Sequence, residues 1–369
     1  MLDLIDSTLR EGAQTAGVMF NLVQKKAIAR SVAAVGIEEL ELGVASPLDS
    51  ELPELMAACR DLEERPRLGL WSRCRYEDIR FAAGLRPDVL SLSLPASARH
   101  IAKRLGKTGS WVLASLRDSV QLARELGIDS ISLGLEDASR ADQDFLAELI
   151  EVAVSAGVWR IRFADTVGIL TPSATDVLIS SYRQRFPELE LAFHAHNDFG
   201  LATANALAAL EAGAQWADVT VLGLGERAGC ARLEELAAYL TLLKGKKKYR
   251  MENLSSLCEL VAEAARRSIG CQHPVVGRAI FTSETGLHVQ GLLNDPDSYE
   301  PFPPERVKAC RTILLGAKSG ARAVAGYLAQ LGLSMPTQAL PQLVRDVREQ
   351  AIKLGRPLNA AEVRSLSRP

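Results

Sequence analysis

Short runs rich in aliphatic and β-branched residues recur along the first two thirds of the chain, separated by stretches whose apolar positions repeat every three to four residues. The β-rich runs occupy residues 3–8, 37–44, 67–72, 89–95, 130–136, 160–167, 190–196 and 217–223. Between them, segments such as NLVQKKAIARSVAAVG and ADQDFLAELIEVAVSAG have the spacing of amphipathic helices. Gly36, Gly127, Gly157 and Gly213 follow the last apolar position of four such segments, where a left-handed glycine ends a helix. Eight strand–helix units in sequence predict an α/β fold, a (β/α)8 TIM barrel. An open doubly wound sheet is the alternative. It would place a Gly-rich phosphate loop after the first strand, where this chain has Leu9-Arg10-Glu11-Gly12.

The pattern changes after about residue 246. The run from Lys244 to Lys248 reads as a solvated turn, and SSLCELVAEAARRSIG as a helix. A Pro/Gly-rich irregular segment follows over 272–320, then two amphipathic helices in ARAVAGYLAQLG and ALPQLVRDVREQAIKLG. The expected organisation is a catalytic barrel over 1–250 and a small, mostly helical C-terminal extension over 251–369, too small for a core of its own.

Composition narrows the function classes. Hydrophobic residues make up 47%, charged residues 24%, and net charge is -2. That balance is globular and lacks the basic field that draws nucleic acid or an anionic membrane. No apolar run has the length of a membrane span, and Met-Leu-Asp-Leu-Ile-Asp lacks the layout of a signal peptide, so a cytoplasmic location is expected. The six cysteines form no CxxC pair and read mostly as small buried apolar residues.

In such a barrel the chemistry sits at the C-terminal strand ends. Those ends carry Arg10 and Glu11, Glu41, Ser97 and His100, Glu136 and Asp137, Asp165 and Thr166, His194 to Asp198, and Glu226 with Arg227. Charges gathered there are costly unless paired or ligating something. His194 and His196 are alternate strand residues, so both rings can enter the barrel mouth and chelate one divalent ion, with a carboxylate from another strand as third ligand. The plainer reading is two hydrogen-bonded histidines. Arg10 and Glu11 can be a surface pair or can divide labour, Glu11 ligating the ion and Arg10 stabilising negative charge on an oxygen bound to it. A mixed N/O set admits Mg, Mn, Zn, Co or Fe. Glu226 and Arg227 read as a mutual pair on a Gly-rich rim.

Three motifs together resemble the homocitrate synthase and isopropylmalate synthase family, the DRE-TIM metallolyases. They are Asp6-Ser-Thr-Leu-Arg-Glu-Gly12 with Gln14, His194-Ala-His-Asn-Asp198, and Gly223-Leu-Gly-Glu-Arg-Ala-Gly229. Gly286-Leu-His288 with Gly291 is similar to the family's linker subdomain. The runs 136–140, 162–168 and 198–205 most resemble the nitrogenase-associated homocitrate synthases. The resemblance implies metal-assisted Claisen condensation of acetyl-CoA with a 2-oxo acid, followed by thioester hydrolysis. The expected oxo acid is 2-oxoglutarate, with phosphonopyruvate, oxaloacetate, pyruvate or 2-oxoisovalerate as variants. It implies metal ligands Glu11, His194 and His196, catalytic roles for Arg10, Glu136 and His288, and substrate contacts at Gln14, Glu41, His100 and Thr166. It also implies a homodimer. The chain departs from the family at Ala13, at Ser283, at Gly316-Ala-Lys-Ser-Gly320, and at Cys230, where the family has an Asn at or near the metal. Cys230 is therefore a candidate fourth metal position. A lyase of the same superfamily and a catalytically inactive binding barrel are the competing readings.

Overall fold

The structure is a computed structural model and describes residues 2–367. The expected barrel forms. Its strands are β1 (Asp3–Asp6), β2 (Glu39–Val44), β3 (Arg67–Arg73), β4 (Val89–Pro95), β5 (Ile131–Glu136), β6 (Arg160–Asp165), β7 (Glu190–Ala195) and β8 (Trp216–Val219). They pair in sequence order, all parallel, and β1 closes the ring on β8 with Asp3 opposite Trp216. The helices between them run from α1 (Leu22–Val35) through α2 (Leu52–Arg60), α3 (Tyr76–Leu85), α4 (Gly109–Glu125), α5 (Gln143–Ser155), α6 (Pro172–Arg185) and α7 (Ala202–Glu211) to α8 (Leu233–Leu242). Local chemistry sets the helix ends. Asn21 and Gln24 form a capping box at the start of α1. Gly36 ends α1 at φ 97°, and a Cβ there would stand 2.8 Å from the Lys248 carbonyl oxygen.

Strand alternation divides the interior by polarity. Leu40, Leu42, Leu68, Leu70, Leu90, Leu92, Leu133, Ile161 and Phe163 are buried on one face of their strands, where the helices cover them. The other face points into the lumen and is polar. Arg160 of β6 bonds Glu39 of β2 at 2.6 and 2.8 Å, and strands so far apart in the ring can meet only across the interior. The Arg160 guanidinium also lies 4.7 and 4.8 Å from the rings of Trp159 and Trp216. The lysine run is less solvated than its composition suggests, because Lys246 bonds Asp3 and Glu38 at 2.7 Å each at the foot of the barrel.

The last strand stops well short of expectation. The eighth run yields only Trp216–Val219. The Val221 N–H donates to Thr8 Oγ1 at 2.9 Å instead of continuing the ladder, and Leu222 turns at φ 59°. Thr8 is in turn fixed by Asp6, whose carboxylate accepts from the Thr8 hydroxyl at 2.7 Å and N–H at 3.1 Å. Burial pushes the Asp6 carboxyl up to about 7, the Thr8 bonds offsetting part of this and Glu41 and Glu234 adding to it. A raised folded-state pKa means stability that is full below the unfolded value near 3.8 and lost as pH rises through about 7. Asp6→Asn removes this contribution between about pH 4 and 7, so its melting temperature should fall less with rising pH than that of the wild type; an unchanged slope would show that Asp6 does not titrate there.

The chain divides into two compact units between Ile269 and Gly270. The division falls after α9 (Leu254–Ala265) rather than at 250, because α9 packs against α1. The second unit differs from expectation in having a core, built on Val289, Leu315, Ala323, Val324, Leu328, Val347 and Val363. The segment 272–320 is also not wholly irregular. It contains a short parallel pair, β9 (Thr282–Ser283) with β10 (Thr312–Ile313), and a helix, α10 (Gly286–Asn294). Two glycines hide that helix in the sequence; Gly291 is required because a Cβ there would lie 2.0 Å from the Tyr299 ring. The two expected tail helices form as α11 (Ala321–Gln330) and α12 (Leu340–Leu354), followed by α13 (Ala360–Leu366) on an Asn359/Glu362 capping box. Among the described residues, no helix is long and apolar enough to cross a membrane.

Candidate active site

The turn after β1 builds the first wall. The Ser7 carbonyl accepts from the N–H groups of Arg10, Glu11 and Gly12 at 3.1, 2.7 and 3.1 Å, folding the chain so that Arg10 and Glu11 both lie at the barrel mouth. Arg10 Nε donates to Glu41 Oε2 at 2.6 Å, and its Nη1 donates to Glu11 Oε2. Glu41 is shared further: it accepts from Ser7 Oγ at 2.7 Å and from Arg162 at 3.0 and 3.1 Å. Burial would lower the Arg10 pKa, but Glu41 and Glu11 outweigh it and hold the guanidinium protonated. Burial would likewise raise Glu41, and Arg10 and Arg162 reverse it, keeping that carboxylate ionised.

β7 and the bridge beyond it supply the imidazoles. The Nε2 atoms of His194 and His196 lie 3.3 Å apart. Glu11 faces them, its Oε2 3.8 Å from His194 Nε2 and its Oε1 4.0 Å from His196 Nε2. Asp218 of β8 lies 2.8 Å from His194 Nδ1, which places the ring proton on Nδ1 and the lone pair on Nε2, facing the cluster. Burial, then the neighbouring His194, pushes His196 down to about 4, so its ring is neutral at physiological pH. Glu11 stays below its ordinary value: burial raises it, and Arg10, His194 and His196 together lower it by more.

These residues fit a divalent cation. Glu11, His194, His196 and Cys230 are all buried and can offer ligand atoms within 4.8 Å of one another. Glu11 Oε1 is buried with no hydrogen-bond partner, and the Nε2 atoms of both imidazoles turn toward the same point. An ion there would satisfy all three donors at once, and the set of two imidazoles and a carboxylate is a common one for such ions. Cys230 is held differently. Its Sγ lies 3.9 Å from His196 Nδ1, the other ring nitrogen, and burial, with Glu11 next, keeps it a neutral thiol well above its usual range. The rim loop is tight enough to leave Cys230 little freedom, since a Cβ on Gly225 would lie 2.6 Å from its sulfur and one on Gly229 would lie 1.9 Å from the Gly223 carbonyl oxygen.

A cavity of about 220 Å³ opens over this cluster. Arg10, Glu11, Gln14, Glu136, Thr166, His194 and His196 all line it, so the strand ends do converge. Thr166 Oγ1 accepts the Asp137 N–H at 2.8 Å, which leaves its own O–H proton free to donate. Two of the anticipated residues stand behind the wall. Glu41 is fully engaged by Ser7, Arg10 and Arg162. His100 approaches Asp137 at 3.7 Å from a π-helical turn (His100–Arg104). His288 lies exposed on α10 in the second unit, its ring 4.9 Å from that of Tyr299. Arg227 bonds Asp198 at 2.8 and 2.9 Å and the Thr166 carbonyl, with Glu226 farther off at 3.8 Å, so the expected Glu226–Arg227 pair is the weaker contact.

Sequence reasoning missed Asp218, Arg162, Arg104 and Trp71. Asp218 and Arg162 join the two halves of the site, since Arg162 Nε lies 3.2 Å from the same Asp218 oxygen that holds His194. The available signal was parity: both sit on alternate strand positions that face the lumen. Asp218→Asn is expected to weaken divalent metal affinity about 10- to 100-fold, by releasing the His194 tautomer. Equal metal content after dialysis against a competing chelator would remove Asp218 from that role.

Comparison with known proteins places the chain among relatives of matching length. The family model described as HMGL-like matches residues 1–261, and one described as homocitrate synthase post-HMGL domain-like matches residues 275–353. The chain is 40% identical to a homocitrate synthase of Frankia alni, over 89% of this chain and 93% of that protein. It is 37% identical to 2-isopropylmalate synthase 2 of Caldanaerobacter subterraneus subsp. tengcongensis, over 96% and 92%. It is also 37% identical to a 2-phosphonomethylmalate synthase of Streptomyces rubellomurinus, over 96% and 94%. Among solved structures, the HMG-CoA lyase of Bacillus subtilis superposes with a TM-score of 0.65 at 19% identity, covering 73% of this chain and 95% of the lyase, a likeness of fold.

Proposed function

The chain belongs to the HMGL-like family with a homocitrate synthase-type second domain, and from that premise we propose that it condenses acetyl-CoA with a 2-oxo acid and hydrolyses the thioester, releasing coenzyme A. The favoured oxo acid is 2-oxoglutarate, giving homocitrate. The observation that carries this reading is the single rim that joins Arg10 to a Glu11/His194/His196 cluster with an unpartnered carboxylate oxygen. A divalent ion held by those three residues supplies, when bound, Lewis-acid polarisation of the keto group.

The remaining work falls to side chains. Arg10, held protonated and aimed by Glu41, donates to the keto oxygen as negative charge develops on it. Thr166 and Gln14 orient the oxo acid's carboxylate and flank. Glu136, in the same cavity, takes a proton from the acetyl methyl so that the enolate carbon can attack, and His288 is the second acid–base residue that the family resemblance implies. Glu41 and His100 act as positioning residues behind the wall. The proposed state is a cytoplasmic homodimer, as in the family that the motifs resemble. The second-domain match supports a synthase over a lyase, and the intact Arg10, Glu11 and His pair count against an inactive barrel.

The test is a panel of 2-oxo acids with acetyl-CoA, following free thiol with and without added divalent metal. Phosphonopyruvate belongs in the panel because of the phosphonomethylmalate synthase relative. Metal-dependent thiol release, greatest with 2-oxoglutarate, is expected. Silence across every acid and metal would end the condensation reading.

A further inference from the structure

The cavity holds three guanidinium groups, and they are not equivalent. Arg10 is committed to Glu11 and Glu41, and Arg162 to Glu41 and Asp218, all of them buried. Moving either arginine off its partners and onto a distal anion would strand a buried carboxylate. Arg104 is different. It ends the π-helical turn after β4, its side chain is 49% exposed, and it pairs with Glu136, itself 21% exposed. Half-solvated pairs of this kind contribute little to stability, so Glu136 is readily exchanged for another anion.

The rest of the lining is largely polar, with carboxylates at Glu11, Glu136 and Glu226. Only Trp71 and Ala164 among the lining residues carry apolar side chains. A branched aliphatic oxo acid would bury its side chain among charges; one with a second anionic group would not. Glu136 also keeps a second anchor, because Ser93 Oγ donates to its Oε1 at 2.8 Å while Arg104 occupies Oε2.

We infer that Arg104 reads the distal anion of the substrate, a carboxylate or phosphonate at the far end of the 2-oxo acid, and that its transfer from Glu136 to that anion frees Glu136 Oε2 for proton transfer. The inference rests on the condensation proposed above and adds to it a substrate class and a latch: an oxo acid without a second anion leaves Arg104 on the base. Pyruvate and 2-oxoisovalerate are then poor substrates for a chemical reason, since they fail to unlock Glu136 rather than failing to fit.

The experiment compares wild type, Arg104→Gln and Arg104→Lys on 2-oxoglutarate, oxaloacetate and phosphonopyruvate against pyruvate and 2-oxoisovalerate. Arg104→Gln is expected to lower kcat/KM for the anionic group by about 100-fold, mostly through KM, and to raise turnover of pyruvate and 2-oxoisovalerate, because nothing then holds Glu136 Oε2. Arg104→Lys is expected to recover part of the loss. Equal losses on both groups, or none on the anionic group, would overturn the inference while leaving the condensation reading intact. Calorimetric titration of the metal-loaded protein with 2-oxoglutarate and with 2-oxoisovalerate gives a readout independent of turnover. Selective weakening of 2-oxoglutarate in Arg104→Gln supports the inference, and equal binding to wild type and variant overturns it, even if no acid is turned over.

Discussion

Replacing Arg10 with alanine is expected to cost both catalysis and stability. Removing a preorganised donor from a developing oxyanion typically lowers kcat by about 100- to 1000-fold. The structural cost is separate. Arg10 balances Glu11 and Glu41, both buried, so its loss leaves Glu11 without a guanidinium partner and Glu41 sharing Arg162 with Asp218, an effect of about 3–5 kcal/mol in denaturant unfolding. Arg10→Lys separates the two. It restores a charge without the fork that spans two carboxylates, so stability should recover more than turnover. A turnover loss under tenfold in Arg10→Ala, measured by thiol release at saturating substrate, would remove Arg10 from the oxyanion role.

Replacing His196 with alanine is expected to weaken divalent metal retention by at least 100-fold, more than the 10- to 100-fold typical of residues that only orient a ligand. The fold should survive, because the ring lies at the mouth and not in the layer tied by Glu39 and Arg160. Metal content by elemental analysis after chelator dialysis decides it, and retention equal to wild type would exclude His196 from the ligand set. The same variant has a signature in the metal-free protein. His196 titrates near 4 when folded and near 6.5 when unfolded, so the unfolded chain takes up the extra proton between those values and stability falls as pH drops through that window. Asp6 has the opposite sign over nearly the same range, because there the folded chain holds the extra proton. The two slopes partly cancel in the wild type. His196→Ala should therefore leave a metal-free protein that gains stability on acidification from about pH 6.5 toward 4.5, and Asp6→Asn one that loses it. Parallel profiles in both variants would show that neither group titrates as its burial implies.

Competition between local and distant bonding explains where the sequence was readable. The barrel was legible because eight apolar runs alternate with helical spacing, and each strand and helix depends on its own residues and immediate neighbours. α10 was not legible, because its helix is held by one buried residue, Val289, and by a close approach of Tyr299 that no local pattern records. The early end of β8 depends on a hydroxyl more than two hundred residues away in the chain, at Thr8. The core of the second unit was missed for the same reason, since Leu315, Val347 and Val363 meet only after the chain has folded back.

The site divides along the same line. The sequence by itself determined the cast, Arg10 and Glu11 in one turn and His194 with His196 at a spacing of two, because neighbours in a chain cannot be far apart and strand parity sends both rings to one side. The tertiary structure alone decided the partners. Asp218 orients His194, Glu41 stands behind Arg10 rather than in the cavity, and Cys230 meets His196 at the nitrogen turned away from the other ring. These pairings join strands that are remote in sequence, and only closure of the barrel brings their charges within bonding distance.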